Sequence, residues 1–249
     1  MHNRPVPTFS VITVTYNAGA VLEDTIQSVI AQTYHHVEYI IIDGASKDNT
    51  LAIVNRYRDR IACVVSEPDK GLYDAMNKGI ALATGDYLCF LNAGDSFHED
   101  DTLQQIVHSL APHDTLPGVI YGDTDLVDAE GHFVRKRRLS PPEVLTWKSF
   151  RQGMLVCHQA FFARRDLVEP YDLRYRFSAD FDWCIRVMKK TQTLHNAHLV
   201  VIDYLDEGLT TANRRASLLE RFRIMCRHYG WVSTVAYHAW FVLRLLLKR

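Results

Sequence analysis

The chain has little of what would place it quickly. Its five cysteines, Cys63, Cys89, Cys157, Cys184 and Cys226, are scattered, odd in number and never spaced Cys-x-x-Cys. That speaks against a zinc centre and a disulfide framework, and several of them fall in apolar runs where thiols act as small hydrophobes. The formal net charge is −1 over 249 residues, so nothing draws the whole molecule toward nucleic acid. No charged segment followed by an apolar run opens the chain, so no signal peptide is expected and a reducing, cytoplasmic setting fits. There is no internal repeat and no low-complexity tract. No Gly-x-Gly-x-x-Gly follows the first apolar strand and no Gly-Lys-Ser/Thr occurs, which disfavours a Rossmann dinucleotide site and a P-loop. With 47% apolar and 23% charged residues the composition is that of a soluble globular protein. The length allows one large domain, or one domain with a small annex.

What is present centres on Gly85-Asp86-Tyr87-Leu88-Cys89-Phe90-Leu91-Asn92-Ala93-Gly94-Asp95. A strand apolar on both faces is buried on both, as in the middle of a parallel sheet. Ligands of open α/β sheets bind beyond the carboxyl ends of such strands, where Asn92 and Asp95 stand. A carboxylate there suits a divalent cation that carries phosphates. It equally suits a helix cap or a turn, and this stretch alone leaves both open.

The first half alternates strand and helix at short, even spacing. Residues 9–17 form a β-branched strand ending in Thr15, Tyr16 and Asn17. A helix follows with Val21, Leu22, Ile26, Val29 and Ile30 on one face. Residues 37–44 form a second strand ending at Asp43 and Gly44. Ser46, Asp48 and Asn49 open a second helix, 63–65 is a third strand, and a helix from Leu72 closes at Gly85 as a C′ residue. Such crossovers give a parallel sheet with its helices outside. Polar residues then gather on one sheet edge: Thr15, Tyr16 and Asn17; Asp43 with Ser46; Asn92 with Asp95. Each group alone is ordinary turn chemistry, but their convergence points to a ligand site.

Four segments in order, Thr-Val-Thr-Tyr-Asn, Ile-Ile-Asp-Gly-Ala-Ser-Lys-Asp-Asn-Thr, Glu-Pro-Asp-Lys-Gly-Leu-Tyr-Asp-Ala-Met-Asn-Lys-Gly and Phe-Leu-Asn-Ala-Gly-Asp, resemble the GT-A glycosyltransferases of family 2. The match runs over residues 9–95 and more weakly to about 210, and is most similar to bacterial enzymes of capsule, exopolysaccharide or O-antigen synthesis. The resemblance implies a Rossmann-like mixed, mostly parallel α/β sheet with helices on both faces and a C-terminal helical extension. It implies that Val14, Thr15 and Tyr16 pack on base and ribose and that Asp43 meets the base edge. It also sets Lys70 near the diphosphate and Asp74 and Asn77 toward the donor. The family often has two adjacent acids where this chain has Asp43-Gly44, a departure that leaves the base open; the resemblance favours a UDP-sugar as donor, with a GDP-sugar as the alternative. Asn92-Ala93-Gly94-Asp95 takes the place of the Asp-x-Asp motif, with Asp95 on Mn²⁺ or Mg²⁺ and Asn92 beside the donor. Lys70 also reads as a solvated loop lysine.

In the second half, residues 119–123 and 131–135 read as two strands about the turn Asp128–Gly131. The basic run 135–138 reads either as a phosphate or lipid-head site or as a solvated strand end. His158-Gln159, in an apolar run, matches a family pair near donor sugar and acceptor. Asp180 opens a helix where the family keeps its catalytic base, and a cap is the alternative role. Asp182, two residues on, is the alternate candidate for that base and is otherwise placed with His158 and Gln159 near the sugars. Residues 198–202 read as a last strand, 206–211 as a loop near the donor, and Leu218, Leu219, Phe222, Met225 and Cys226 as the inward face of a helix. The segment 231–247 is apolar but interrupted by His238 and Arg244, too short to span a bilayer. With its aromatics and the nearby arginines it fits a helix lying in the inner face of the plasma membrane, or else a core or dimer helix.

The expected organisation is a nucleotide-sugar-binding half (1–100), an acceptor-binding and catalytic half (101–212) and C-terminal helices (213–249). The expected function is inverting, metal-dependent transfer of a sugar from a nucleotide-sugar to a saccharide carried on a polyprenyl diphosphate. The rivals are a sugar nucleotidyltransferase, whose glycine- and arginine-rich loop after strand one is absent, and a non-catalytic nucleotide-binding relative.

Overall fold

The computed structural model describes residues 6–206 and 214–247. In chain order the elements are β1 (Phe9–Thr15), α1 (Leu22–Ile30), β2 (Val37–Asp43), α2 (Thr50–Arg56), β3 (Cys63–Ser66), α3 (Leu72–Leu82), β4 (Tyr87–Phe90), β5 (Ser96–Phe97), α4 (Thr102–Ser109), β6 (Val119–Val127), β7 (Phe133–Lys136), β8 (Phe161–Arg164), α5 (Ala179–Lys189), β9 (Leu194–Leu205), α6 (Arg214–Tyr229) and α7 (Trp231–Leu247). One sheet takes them in the order β3-β2-β1-β4-β8-β6-β9-β5, with β7 hairpinned onto β6.

The β3-β2-β1-β4 half is parallel, because a helix returns the chain between each pair of strands. Its register sets Thr15 beside Asp43, so the polar strand ends share one edge. β1 and β4 are buried throughout, which explains their lack of polar alternation. Beyond β4 the sheet turns antiparallel through β8 to β6, then parallel again along the long β6–β9 ladder. α3 lies tight on β1: a Cβ on Gly79 would come within 2.4 Å of Ile12, so only glycine fits there.

Three local expectations are corrected. Gly85 is not a left-handed helix cap, since α3 ends at Leu82 with Ala83 extended. Gly85 is small because a Cβ would press on the Thr8 carbonyl and the Ser10 backbone at 2.8 and 2.9 Å. The last strand is longer than 198–202, running from Leu194 to Leu205 through a left-handed residue at His198. On α6, Leu218 and Leu219 point outward at 53% and 62% exposure, while Ser217, Ile224 and Met225 are buried. Of the loop 206–211, residues 207–211 lie outside the described residues. Among the described residues no helix is long and apolar enough to cross a membrane.

Candidate active site

A cleft of about 670 Å³ opens at the carboxyl ends of β1 and β4. Val14, Thr15 and Tyr16 form one wall, and Asn92 and Asp95 come from the loop after β4. His158, Gln159 and Asp180 face them from the second half of the chain, so the two halves share one cavity. Five buried side-chain polar atoms lack a hydrogen-bond partner among the described residues. Three of them, Thr15 Oγ1, Asn92 Oδ1 and Arg221 Nε, belong to residues lining this cleft. Unsatisfied buried groups are costly, so their concentration in one cavity marks it as built for a ligand.

Asp95 is 4% exposed. Its Oδ2 accepts from Gln159 Nε2 at 2.8 Å and its Oδ1 from the Leu205 amide at 3.2 Å. Burial nevertheless pushes its carboxyl up to about 7, since two neutral donors replace hydration only in part. A buried carboxylate held by neutral donors and an amide oxygen with nothing to accept are hard oxygen ligands, and this set fits Mg²⁺ or Mn²⁺. A second acidic group, Asp128, Glu130 and His132, lies on the β6–β7 turn away from this cleft, where Asp128 Oδ1 closes the turn by accepting the amides of Glu130 and His132.

Asp180 sits in the first turn of α5, but its carboxylate does not cap that helix. Among the described residues it accepts from the Tyr73 hydroxyl, 3.0 Å away. Burial, followed by the Asp180 charge, holds the Tyr73 phenol well above its ordinary pKa, so it stays protonated and donates. His158 is buried between Phe90, on which it stacks at 5.1 Å, and the Tyr171 hydroxyl, 2.5 Å from Nε2. Burial drives its imidazole down to about 4, so it is neutral at physiological pH.

Five of the residues singled out in the sequence do not line the cleft. Asp43 is fully buried at the end of β2 and is consumed by Ser46 and Ser66: it accepts from the Ser46 amide at 3.0 Å and from Ser66 Oγ at 2.6 Å. Lys70 is an exposed loop lysine, and its amide donates to Asp74 Oδ2 at 2.9 Å, which occupies Asp74 in closing that loop. Asn77 pins the chain at Tyr171, donating to its carbonyl and accepting from its amide. Asp182 is 0% exposed and turned away from Asp180, held by Arg186 Nε at 2.7 Å and His228 Nε2 at 2.7 Å. These bonds outweigh burial and keep its carboxyl below the usual range, so it is a structural anion and not an alternate base.

The Glycosyl transferase family 2 profile matches residues 10–171, more than half of the chain. The chain belongs to that family. This glycosyltransferase is 36% identical over 213 residues to the "PGL/p-HBAD biosynthesis glycosyltransferase" of Mycobacterium bovis (strain BCG / Pasteur 1173P2), covering 81% of this chain and 78% of that protein. It is 32% identical over 213 residues to the "Amylovoran biosynthesis glycosyltransferase AmsB" of Erwinia amylovora, covering 77% and 70%. Its fold is shared with the mannosyltransferase PcManGT from Pyrobaculum calidifontis, solved with GDP-Man and Mn²⁺, at TM-score 0.65 and 17% identity over 94% of this chain and 74% of that one. The fold is thus the GT-A arrangement, and family membership sets aside the nucleotidyltransferase reading.

The glycosyltransferase cleft also holds residues that the sequence did not single out: Asp69, Tyr73, Met76, Arg137, Tyr204 and Arg221. Tyr73 and Met76 share the helical face next to the one carrying Asp74 and Asn77, and the apolar spacing of α3 was the available signal. Asp69 sits over Gly44, where a Cβ would meet its Oδ2 at 2.5 Å; the missing second acid leaves room for this one. Arg137 comes from the basic run, which splits. Arg135 pairs with Asp206 at 2.9 Å, while Arg137 turns inward onto the carbonyls of Leu139, Met154 and Leu155.

Proposed function

We propose that this glycosyltransferase transfers a sugar, with inversion, from a nucleoside-diphosphate sugar to a saccharide hydroxyl. The observation that carries this reading is that Asp95 and Asp180, from opposite halves of the chain, line the same cleft. Val14, Thr15 and Tyr16 hold the nucleoside end, where the unpartnered Thr15 hydroxyl is free to bond it. Asp95 and Asn92 hold the divalent cation, which when bound offsets the negative charge developing on the departing diphosphate. Gln159 keeps the Asp95 carboxylate oriented. Neutral, buried His158 shapes the wall beside the sugar without adding charge.

Asp180 takes the proton of the acceptor hydroxyl as its oxygen bonds to the anomeric carbon. The bond from that carbon to the diphosphate oxygen breaks, the nucleoside diphosphate carries the electron pair away, and one displacement inverts the centre. Tyr73 fixes the carboxylate that does this.

The acceptor we propose is a growing surface saccharide on a polyprenyl diphosphate, with the protein peripheral on the inner face of the plasma membrane. Two features support this. AmsB, a 32% identical relative, is named for amylovoran biosynthesis. α7 presents Trp231, Val232, Val235, Trp240 and Leu243 outward, near the exposed Arg223 and Arg227 of α6, as an interfacial helix does.

A panel of UDP-, GDP- and dTDP-sugars, scored by thermal stabilisation with Mn²⁺ or Mg²⁺, tests the donor site. One nucleotide should stabilise wild type only with metal, and Asp95→Ala should lose the response. No response in the panel, with Asp95→Ala indistinguishable from wild type, removes the donor-site reading.

A further inference from the structure

We infer that the acceptor carries an oxyanion, a phosphate or a carboxylate, close to the hydroxyl that is glycosylated, and that the Arg221 guanidinium is its receptor. The inference rests on Asp180 being the base in this cleft. Two arginines line the cavity, and they differ in kind. Arg137 spends its terminal nitrogens on three backbone carbonyls and is part of the wall. Arg221 Nε is buried with no partner among the described residues. A guanidinium carries five donors in a planar fork, and leaving one buried and unmade is costly unless a ligand completes it.

The position of Arg221 assigns that ligand to the acceptor end. Its guanidinium carbon lies 6.0 Å from the ring centroid of Phe181, the residue after the base. Its charge also reaches the Tyr73 hydroxyl that is bonded to Asp180. The Asp95 carboxylate is instead bonded by Gln159 and the Leu205 amide. The turn of α6 that carries Arg221 is locked onto the segment leading into the base. Ser217 Oγ meets Ser178 Oγ at 2.9 Å, and the Glu220 carboxylate accepts the amides of Arg176 and Phe177 at 2.8 and 2.7 Å. Arg221 is therefore held in fixed register with Asp180. Planar oxyanion recognition is what an arginine in a fixed position does best.

The test titrates full-length wild type, Arg221→Gln and Arg221→Lys with inorganic phosphate and, separately, with acetate. Each titration is run with and without saturating nucleoside diphosphate and Mg²⁺. Phosphate should bind wild type in the nucleotide-loaded state. Arg221→Gln should weaken that binding about tenfold or more, the value of one lost charged hydrogen bond, while nucleotide affinity stays within about twofold. Arg221→Lys should retain part of the binding, and the stronger of the two anions names the oxyanion class. The inference is overturned if wild type binds neither anion. It is also overturned if Arg221→Gln responds like wild type, or if its loss falls on the nucleotide, which would make the guanidinium a donor-diphosphate ligand. Failure of wild type to bind any nucleotide would overturn the donor-site reading instead, and the nucleotide-free titrations would still read Arg221.

Discussion

The hydroxyl of Tyr73 donates to Asp180 Oδ1 across 3.0 Å, joining the first turn of α3 to the first turn of α5. The bond ties the parallel half of the sheet to the acid proposed as base. Asp180→Asn should lower kcat by roughly 100- to 10,000-fold, the range of a lost general base, with nucleotide affinity retained. Tyr73→Phe should cost about tenfold in kcat, because one neutral–charged hydrogen bond orients the carboxylate. Single-turnover transfer with a nucleotide-binding control checks both. Full transfer activity of Asp180→Asn would show that Asp180 is not the base, and no transfer by wild type would leave the non-catalytic reading standing.

The two acids of the α5 first turn should separate cleanly. Asp182 is buried between Arg186 and His228, and its carboxyl is held low by those bonds against the opposing effect of burial. A depressed folded value means that its stabilisation is present above the usual carboxylate range and is lost as pH falls below it. Asp182→Asn should therefore cost about 3 kcal/mol, or roughly 6–12 °C in Tm at this length, at neutral pH. Asp180→Asn should leave Tm nearly unchanged. Thermal melts of the two variants side by side decide this.

Asp95 has the opposite sign. Its carboxyl is raised to about 7 from an ordinary 3.8, so between those values the folded metal-free protein holds a proton that the unfolded chain has released. Stability from this group is present below about pH 4 and is lost as pH rises through 7. Metal-free Asp95→Asn should then melt a few degrees above wild type at pH 8, by about 2–4 °C for each kcal/mol relieved, with the gap closing toward pH 5. Mn²⁺ should raise wild type at pH 8 and leave Asp95→Asn where it was. Parallel melting curves across this range would show that the carboxylate is not penalised by burial.

The exposed Trp231 and Trp240 of α7 give the membrane proposal its handle. Full-length protein should sediment with vesicles of phosphatidylglycerol and phosphatidylethanolamine, less so at high salt, since surface arginines are screened beyond a Debye length of about 8–10 Å. Trp231→Ser with Trp240→Ser should weaken the partition severalfold without changing Tm. Equal partition of the double variant would remove α7 from the contact.

The sheet was legible because buried parallel strands leave continuous apolar runs, and β1, β2 and β4 carry them. The cleft was legible where strand ends turn polar: Thr15, Tyr16, Asn92 and Asp95 all line it. Helix faces were harder. On α3 the polar Asp74 and Asn77 stood out, yet they serve the loop and the Tyr171 segment, while apolar-looking Tyr73 and Met76 face the cleft. Asp43 and Asp182 have the composition of site acids but spend their oxygens internally, on serines and on an Arg–His pair. Arg221 could not be placed from sequence, because only the docking of α6 on the Ser178 segment brings it to the base.

The division of labour between the two acids is tested most directly by titrating Asp95→Ala and Asp180→Asn with the donor nucleotide-sugar, with and without Mn²⁺, while following turnover. The expected result is complementary loss: Asp95→Ala forfeits metal-dependent nucleotide binding, and Asp180→Asn binds nucleotide and metal like wild type but transfers sugar roughly 100-fold or more slowly. Metal-dependent binding that survives in Asp95→Ala, or transfer at close to the wild-type rate in Asp180→Asn, would contradict it.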